Sequence, residues 1–194
     1  METALSIILG IGLAAACGFR VFVPFLIVSI AARTDHLVLG PSFGWLSSTP
    51  VLIALAVATA LEIGGYYVPW LDHLLDLLAT PAAVVAGSIL MASVVTGVDP
   101  MTRWFLALIA GGGIAGAVQA LTVGTRKISL LSSGGIGNPV VATGELFGSV
   151  ALSLLAIALP LVAFALVAWA MFLGIRLVVR RVGGNGSAAG ADRA

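Results

Sequence analysis

Residues 16–25 read ACGFRVFVPF and place Arg20 inside an almost unbroken apolar run, residues 5–32. An arginine near the centre of a bilayer costs about 3 kcal/mol or more unless it faces protein, a partner or water. Gly18 and Pro24 flank this arginine, and both residue types permit a kink or a break in a helix. The stretch therefore predicts a first helix that is kinked or broken at a buried charge.

The composition is the reason to expect a bilayer at all. The chain is 60% hydrophobic and only 9% charged, whereas soluble domains carry about 25% charged residues. A soluble fold of this length could not cover so much apolar surface, so much of that surface must face lipid. The net charge of +1 gives no electrostatic signature for nucleic-acid binding, and the single cysteine, Cys17, rules out an internal disulfide framework or a cysteine-based metal cluster.

Apolar segments divide the chain into six predicted spans of roughly the 20 residues that cross a bilayer. The last two are separated at Pro160, because one helix over both would be about 60 Å long. We therefore predict an all-α integral membrane protein with about six transmembrane helices, in which residues 1–182 form a single transmembrane domain and residues 183–194 form a disordered tail. The segments are 5–32, 50–68, 81–97, 104–124, 140–158 and 160–179.

Basic residues suggest an orientation. Arg126 and Lys127 lie in a predicted polar loop, residues 125–139, and an arginine cluster that begins at Arg176 closes the sixth span. With six spans the two clusters fall on the same side, which the positive-inside rule makes cytoplasmic. We expect a multi-pass membrane protein with both termini in the cytoplasm. The lipid bilayer is its expected partner, and the sequence also allows a homo-oligomer or a second membrane protein.

The two halves of the chain, residues 5–97 and 104–180, resemble each other. LGIGLAAA (9–16) aligns with AGGGIAGA (110–117), and a TPV and an NPV tripeptide each open a span that contains a glutamate. Three spans in each half would invert the second half in the membrane, as in many transporters. The alternative is that spans rich in glycine and alanine resemble one another by chance.

Two glutamates are the candidate partners of Arg20. Glu62 and Glu145 lie deep in apolar runs, where a carboxylate either pairs with a cation or carries a proton. With Arg20 and Asn138 they are the candidate residues of a path for a solute or ion. Three interpretations of Arg20 stay open: it extends from a tilted helix to the membrane surface, it forms a buried structural ion pair, or it lines a cavity and binds an anionic group.

Residues 69–80, PWLDHLLDLLAT, form a short amphipathic segment. Asp72 and Asp76 share one helix face at i,i+4 spacing and are secondary site candidates with His73. Because His73 points away from that face, an interfacial or cavity-lining helix is favoured over a metal site. No nucleophile, base and acid recur near one another, so we expect neither an enzyme nor a cofactor. A membrane enzyme that uses carboxylates is the third alternative.

The sequence also resembles a known family. GFR in the first span, LEIGGYYVPWLD at 61–72 and GGIGNPVV at 134–141, followed by Glu145, look like small bacterial multi-pass membrane proteins classed as a domain of unknown function, over residues from about 5 to 180. The family pattern has a glutamate, then Asp-Lys, proline and aspartate. Here Tyr66 and Tyr67 replace the Asp-Lys pair, and Leu146 follows Glu145 where the family tends to have aspartate. The resemblance implies the architecture and a bacterial inner membrane as the location. It implies no activity.

Two functions follow from these residues. The leading hypothesis is a small transporter or channel-like protein for a small solute or ion. The alternative is a membrane scaffold or accessory subunit that transports nothing and whose buried charges fix the helix register. A water-filled cavity that reaches Arg20 would favour transport, whereas a dry and fully paired Arg20 would favour the scaffold.

Overall fold

The computed structural model describes residues 2–133 and 137–191, with side chains for residues 2–68, 75, 77–127, 129, 137 and 139–176. These ranges are helical and contain no strand, which confirms the all-α class. A 3₁₀ helix spans Pro41–Ser47 and a π-helix spans Ala107–Gly112. The α-helices are α1 (Glu2–Cys17), α2 (Phe22–Arg33), α3 (Thr49–Gly65), α4 (Pro69–Val94), α5 (Pro100–Leu106), α6 (Gly113–Ser133), α7 (Asn138–Ala158) and α8 (Pro160–Ala191).

Several of these helices are apolar enough to cross a membrane, so the chain is a membrane protein. Among the residues whose side chains are described, three helical stretches meet both the length and the hydropathy that a span requires, and a fourth does so if the 3₁₀ helix and α3, which meet at 63°, count as one span. The six predicted spans are therefore not confirmed. The three are Leu77–Val94, Pro100–Lys127 and Pro139–Ala158.

The first apolar run is interrupted between α1 and α2, as Gly18 and Pro24 predict. At the start of α1, the backbone N–H of Thr96 donates to Ser6 Oγ at 3.3 Å. Nearby, a Cβ on Gly97 would overlap the hydroxyl of Thr3. Since Thr96 and Gly97 follow the last residue of α4, α1 begins where α4 ends. We call this side of the bundle the Thr96 end.

Helix α2 returns to the same side. Beyond its last residue, the backbone N–H of Gly40 donates to the Ser93 carbonyl at 2.8 Å, near the end of α4. At the end of α2, Arg33 Nη1 donates to Thr49 Oγ1 at 2.8 Å, at the start of α3. Helices α1 and α2 therefore form a re-entrant hairpin, whose two ends share the Thr96 end and whose tip is residues 18–21. The prediction of one crossing over residues 5–32 is wrong, because hydropathy reports burial in an apolar medium and not direction.

A glycine lets the hairpin tip enter the bundle. A Cβ on Gly18 would lie 2.5 Å from Val118 Cβ and 2.7 Å from the Ala115 carbonyl oxygen. Both distances are shorter than real contacts, so a larger residue would push the tip away from α6. Irregular backbone at membrane depth is tolerated where protein surrounds it, and here α6 supplies part of that protein.

The direction of α7 follows from its contacts with α1. Ser149 Oγ donates to the Ala16 carbonyl at 3.1 Å, and a Cβ on Gly12 would lie 2.8 Å from Ala156 Cβ. Helix α7 is thus antiparallel to α1 and runs toward the Thr96 end. Helix α8 begins after the turn at Leu159 and runs the opposite way.

The two chain ends consequently point to different sides. Helix α1 starts at the Thr96 end, whereas α8 passes Leu121 of α6 at Gly174 and continues to the other side, which we call the Lys127 end. The prediction that both termini share a side assumed that the first run crosses the membrane, so it fails with that run. Helix α8 continues to Ala191, and the division into a domain of residues 1–182 and a tail stays a prediction.

Of three predicted boundaries, the structure confirms one and shifts two. The break at Pro160 is confirmed, since α7 ends before it and α8 begins there. Pro81, predicted to open a span, lies inside α4, which also contains the segment 69–80. Neighbouring helices make an internal proline tolerable in a membrane. The predicted loop 125–139 is helical as far as Ser133, because the helix formers after Thr125 continue the pattern of α6.

Glycines bring α4 against the π-helix. A Cβ on Gly111 would lie 2.7 Å from the Gly87 carbonyl oxygen and 2.8 Å from Met91 Cβ. Gly10 of α1, which the sequence alignment pairs with Gly111, faces the same methionine: a Cβ on Gly10 would lie 3.0 Å from Met91 Cγ. Small residues allow this close backbone approach in membrane helices. In contrast, nothing lies within 4 Å of a Cβ on Gly113.

The hairpin can be tested by labelling from one side. In a Cys17→Ala background, an impermeant maleimide should label Glu2→Cys and His36→Cys from the same side of sealed vesicles, because α1 begins and α2 ends there. Lys127→Cys should be labelled from the opposite side. Labelling of the first two cysteines from opposite sides would show that the segment crosses the membrane.

The two neighbouring glycines form a matched pair. Gly111→Ala should lower the free energy of unfolding by about 1–3 kcal/mol, since the new methyl overlaps α4. Gly113→Ala should leave it unchanged or raise it by up to about 1 kcal/mol. Unfolding of both variants in the same detergent measures the difference, and equal stabilities would contradict the packing described.

Candidate functional site

Glu62 of α3 holds the tip of the re-entrant hairpin. The backbone N–H of Val21 donates to Glu62 Oε1 at 2.7 Å, and that of Phe22 donates to Oε2 at 3.1 Å. The first N–H groups of a helix have no intrahelical partner, and the positive end of its dipole favours an anion. Glu62, only 7% exposed, therefore caps α2 from another helix.

Arg20 extends from the tip toward α7. Its Nη2 donates to the Ala142 carbonyl at 2.7 Å and lies 3.7 Å from Glu145 Oε2. The expectation that Arg20 faces protein and approaches a glutamate is thus confirmed. Although the side chain is 2% exposed, its Nε and Nη1 make no hydrogen bond in the described part of the chain. Arg20 is therefore buried with part of its donor set unused.

Arg126 of α6 forms a two-point ion pair with Glu145. Arg126 Nε donates to Glu145 Oε1 at 2.9 Å, and Arg126 Nη2 donates to Oε2. Both side chains are buried. A bidentate pair of this kind has the geometry in which a guanidinium satisfies a carboxylate best. Arg126, expected in a surface loop, is instead part of the buried cluster.

Tyr66 contacts both guanidinium groups through its ring. The Cζ atom of Arg20 is 3.8 Å from the centre of the ring, and that of Arg126 is 4.1 Å away. The faces of an aromatic ring are electronegative and attract cations, so one ring stabilises both arginines. Its neighbour Tyr67 hydrogen-bonds Thr143 at 2.9 Å between the hydroxyl oxygens, which links the α3–α4 turn to α7.

We call Arg20, Glu62, Tyr66, Arg126 and Glu145 the charged cluster. Its two arginines carry two positive charges, and its two glutamates carry two negative charges. Buried charges are tolerated when they are paired and hydrogen-bonded, as Arg126 and Glu145 are. Glu62 is satisfied by two backbone N–H groups, whereas Arg20 has one hydrogen bond and a longer ion-pair contact and leaves two donor atoms unused.

The remaining candidates are not assigned to the cluster. The backbones of Asp72, His73, Asp76 and Asn138 lie in α4 and α7. Their side chains are outside the described residues, so their suggested roles stay predictions. Among the side chains that are described, no three His, Cys, Asp or Glu residues converge.

Two apolar cavities flank the hairpin tip. One, of about 420 Å³, lies between α1, α6, α7 and α8 and includes Phe19 in its lining. The other, of about 440 Å³, lies between α2 and α4 and includes Val21. We call them the Phe19 cleft and the Val21 cleft. Arg20 lines neither of them, so neither is a water-filled route to its guanidinium.

The sequence contains one signal that would have found Arg126. Glu62 and Glu145 are two deep carboxylates, whereas the apolar runs contain only one deep arginine. Charge balance in a low-dielectric interior requires another cation, and Arg126 is the nearest arginine to Glu145 in sequence. Its neighbour Lys127, which is exposed, made the pair look like a surface cluster.

Arg126 and Lys127 therefore provide a matched test. Arg126→Leu should lower the free energy of unfolding by about 3–5 kcal/mol, because it leaves Glu145 buried without its main partner. Lys127→Leu should change it by about 0.5 kcal/mol or less. The double variant Arg126→Leu/Glu145→Leu should recover much of the loss. Equal effects of the two single substitutions in detergent unfolding would contradict the buried ion pair.

Comparisons with known proteins give one match. No curated protein and no solved structure matches the chain. Residues 7–180, which include the whole charged cluster and the re-entrant hairpin from Ile7 onward, match the family described as a domain of unknown function (DUF4126). The chain belongs to this family.

Proposed function

We propose that this protein is a small membrane transporter for a negatively charged solute, and that the solute is bound by Arg20. The observation that carries the proposal is the state of Arg20 at the tip of the hairpin. It is almost completely buried, yet Nε and Nη1 have no hydrogen-bond partner among the described residues. Most buried polar groups in proteins are satisfied, so unused donors at such depth suggest a ligand.

The contrast within the cluster supports this role. Arg126 is bound at two points by Glu145, which is the arrangement of a structural ion pair. Arg20 has a longer contact to the same carboxylate and one hydrogen bond to a backbone carbonyl. A guanidinium presents its donors in a planar fork that matches carboxylate and phosphate groups. Arg20 is thus the cation that can exchange partners.

A second unpartnered group lies on α3, one helical turn before Glu62. Thr59 Oγ1 is buried and has no hydrogen bond in the described residues. Thr59 precedes Glu62 by three residues, so the two side chains share a face of α3. This hydroxyl is proposed to line the route by which water reaches the cluster, and Glu62 lies between it and Tyr66 along the chain.

The proposal includes a partial inverted repeat. Helices α3 and α4 run in the opposite sense to α7 and α8, and each pair begins with a helix that contributes one glutamate, Glu62 or Glu145, to the cluster. The re-entrant hairpin has no counterpart before α7, where the long α5–α6 segment crosses instead. Transporters commonly place their sites at the interface of such repeats, beside discontinuous helices.

We further propose a bacterial inner membrane location with the Lys127 end in the cytoplasm. Lys127 and Arg176 are exposed, and both lie toward that end. Arg126 no longer counts toward the positive-inside rule, because it is buried. Arg33 and Arg103 are at the opposite end, so the excess of basic residues is carried by Lys127 and the arginines of α8.

The alternative function, a scaffold that transports nothing, has its own support. The charges of the cluster balance, and neither cleft is lined by Arg20. Buried charges of this kind can specify helix register without further activity. The two functions differ in one property: a transporter must give water access to the cluster at some point in its cycle.

A cysteine at Thr59 tests water access without knowledge of the solute. In a Cys17→Ala background, Thr59→Cys should react with a small charged thiosulfonate, on the order of tenfold faster than Ser153→Cys. The control serine is fully buried and hydrogen-bonded to Ser149, so a cysteine there should react only through local unfolding. Equal rates at the two positions would reject transport in favour of the scaffold.

A further inference from the structure

The Phe19 cleft opens between helices that carry the charged cluster. Its lining is apolar except for Thr122 and Thr125 of α6. Its volume of about 420 Å³ falls within the usual range for small-molecule sites. Residues such as Leu166 and Ala151 in the lining are themselves exposed on the surface of the bundle, so in a membrane the cleft is open to lipid.

The inner end of the cleft lies about one helical turn from the cluster. Thr122 lines the cleft one turn before Arg126, and Gly148 lines it one turn after Glu145. A turn of α-helix rises about 5.4 Å, so α6 and α7 both pass from the cleft to the ion pair over that distance. Phe19 connects the two regions, because it lines the cleft and precedes Arg20 in the hairpin tip.

Phe19 is placed to separate the cleft from Arg20. Its ring atoms lie 3.9 Å from the position of a Cβ on Gly148, so the ring rests against the backbone of α7. The side chain is only half-buried. Because Phe19 lines the cleft and Arg20 follows it directly in the chain, movement of this ring is the change expected to open the cleft toward the guanidinium.

We propose that the solute is an anionic amphiphile that enters from the bilayer, with its apolar chain in the Phe19 cleft and its negatively charged headgroup at Arg20. The inference rests on the proposed function and specifies its substrate class. Charge complementarity selects the occupant. A neutral lipid would satisfy the apolar lining and leave the donors of Arg20 unused, whereas a water-soluble anion would bind Arg20 and have no use for the cleft.

Lipid binding measured by native mass spectrometry in detergent tests the proposal. The probes are dioleoyl phosphatidic acid and dioleoyl phosphatidylcholine, which differ in net headgroup charge and share their chains. The protein should bind the anionic lipid about tenfold more tightly, the effect of one hydrogen bond to a charged group. Arg20→Gln should abolish this preference, and Arg20→Lys should keep part of it, since the charge remains without the planar fork.

A second pair of variants tests the cleft itself. Ala151→Phe places a ring in the Phe19 cleft and should weaken phosphatidic acid binding by about tenfold, through the loss of buried chain contacts. Ala56→Phe is the matched control: Ala56 is exposed on α3 and lines neither cleft, so its substitution should have no effect. Comparison of Ala151→Phe with Ala56→Phe shows whether the lipid occupies the Phe19 cleft even if Arg20→Gln does not fold.

Other occupants would give different results. Equal binding of both lipids would mean that the cleft holds ordinary membrane lipid. If sn-glycerol 3-phosphate displaced bound phosphatidic acid as effectively as phosphatidic acid itself does, the acyl chains would contribute nothing to binding. A dimer that Ala151→Phe dissociates would place a second copy of the chain there. Each of these outcomes overturns the amphiphile proposal, while the reactivity of Thr59→Cys decides separately whether the protein is a transporter.

Discussion

The two hydrogen bonds from the hairpin tip to Glu62 are the constraint on which the other contacts depend. A chain that turns inside a bilayer exposes backbone N–H groups that lipid cannot satisfy. Here the groups at Val21 and Phe22 find a carboxylate. That carboxylate must come from a helix running alongside α2, so α3 lies antiparallel to it, with Arg33 bound to Thr49 at the other end of the pair.

A buried carboxylate then determines the charges around it. Glu62 and Glu145 bring two negative charges into an apolar bundle, and the described cluster contains two arginines that compensate for them. The arginines repel each other, and additional electron-rich partners offset that repulsion. Tyr66 is such a partner for both of them, and its position just after α3 follows from the depth at which Glu62 must lie.

The sequence predicts which residues build this arrangement better than it predicts the course of the chain through the membrane. Apolar runs, the break near Gly18, the break at Pro160 and an inward Arg20 all follow from local chemistry and from the cost of burying a charge. The re-entrant hairpin does not, because residues that return to one side are as apolar as residues that cross. The burial of Arg126 could not be predicted for a similar reason. A basic residue at the end of an apolar run is expected at the membrane surface, and only its long-range partner Glu145 shows that it is buried.

The two tyrosines also explain how the cluster keeps its charge balance. Tyr66 and Tyr67 add no charge beside the two arginines and the two glutamates, so the equal numbers of positive and negative groups are preserved. A ring face can replace an anion beside two guanidinium groups at lower desolvation cost. It attracts the cation without accepting a conventional hydrogen bond. Such a partner holds Arg20 in place while leaving its N–H donors available, which a carboxylate in that position would not do.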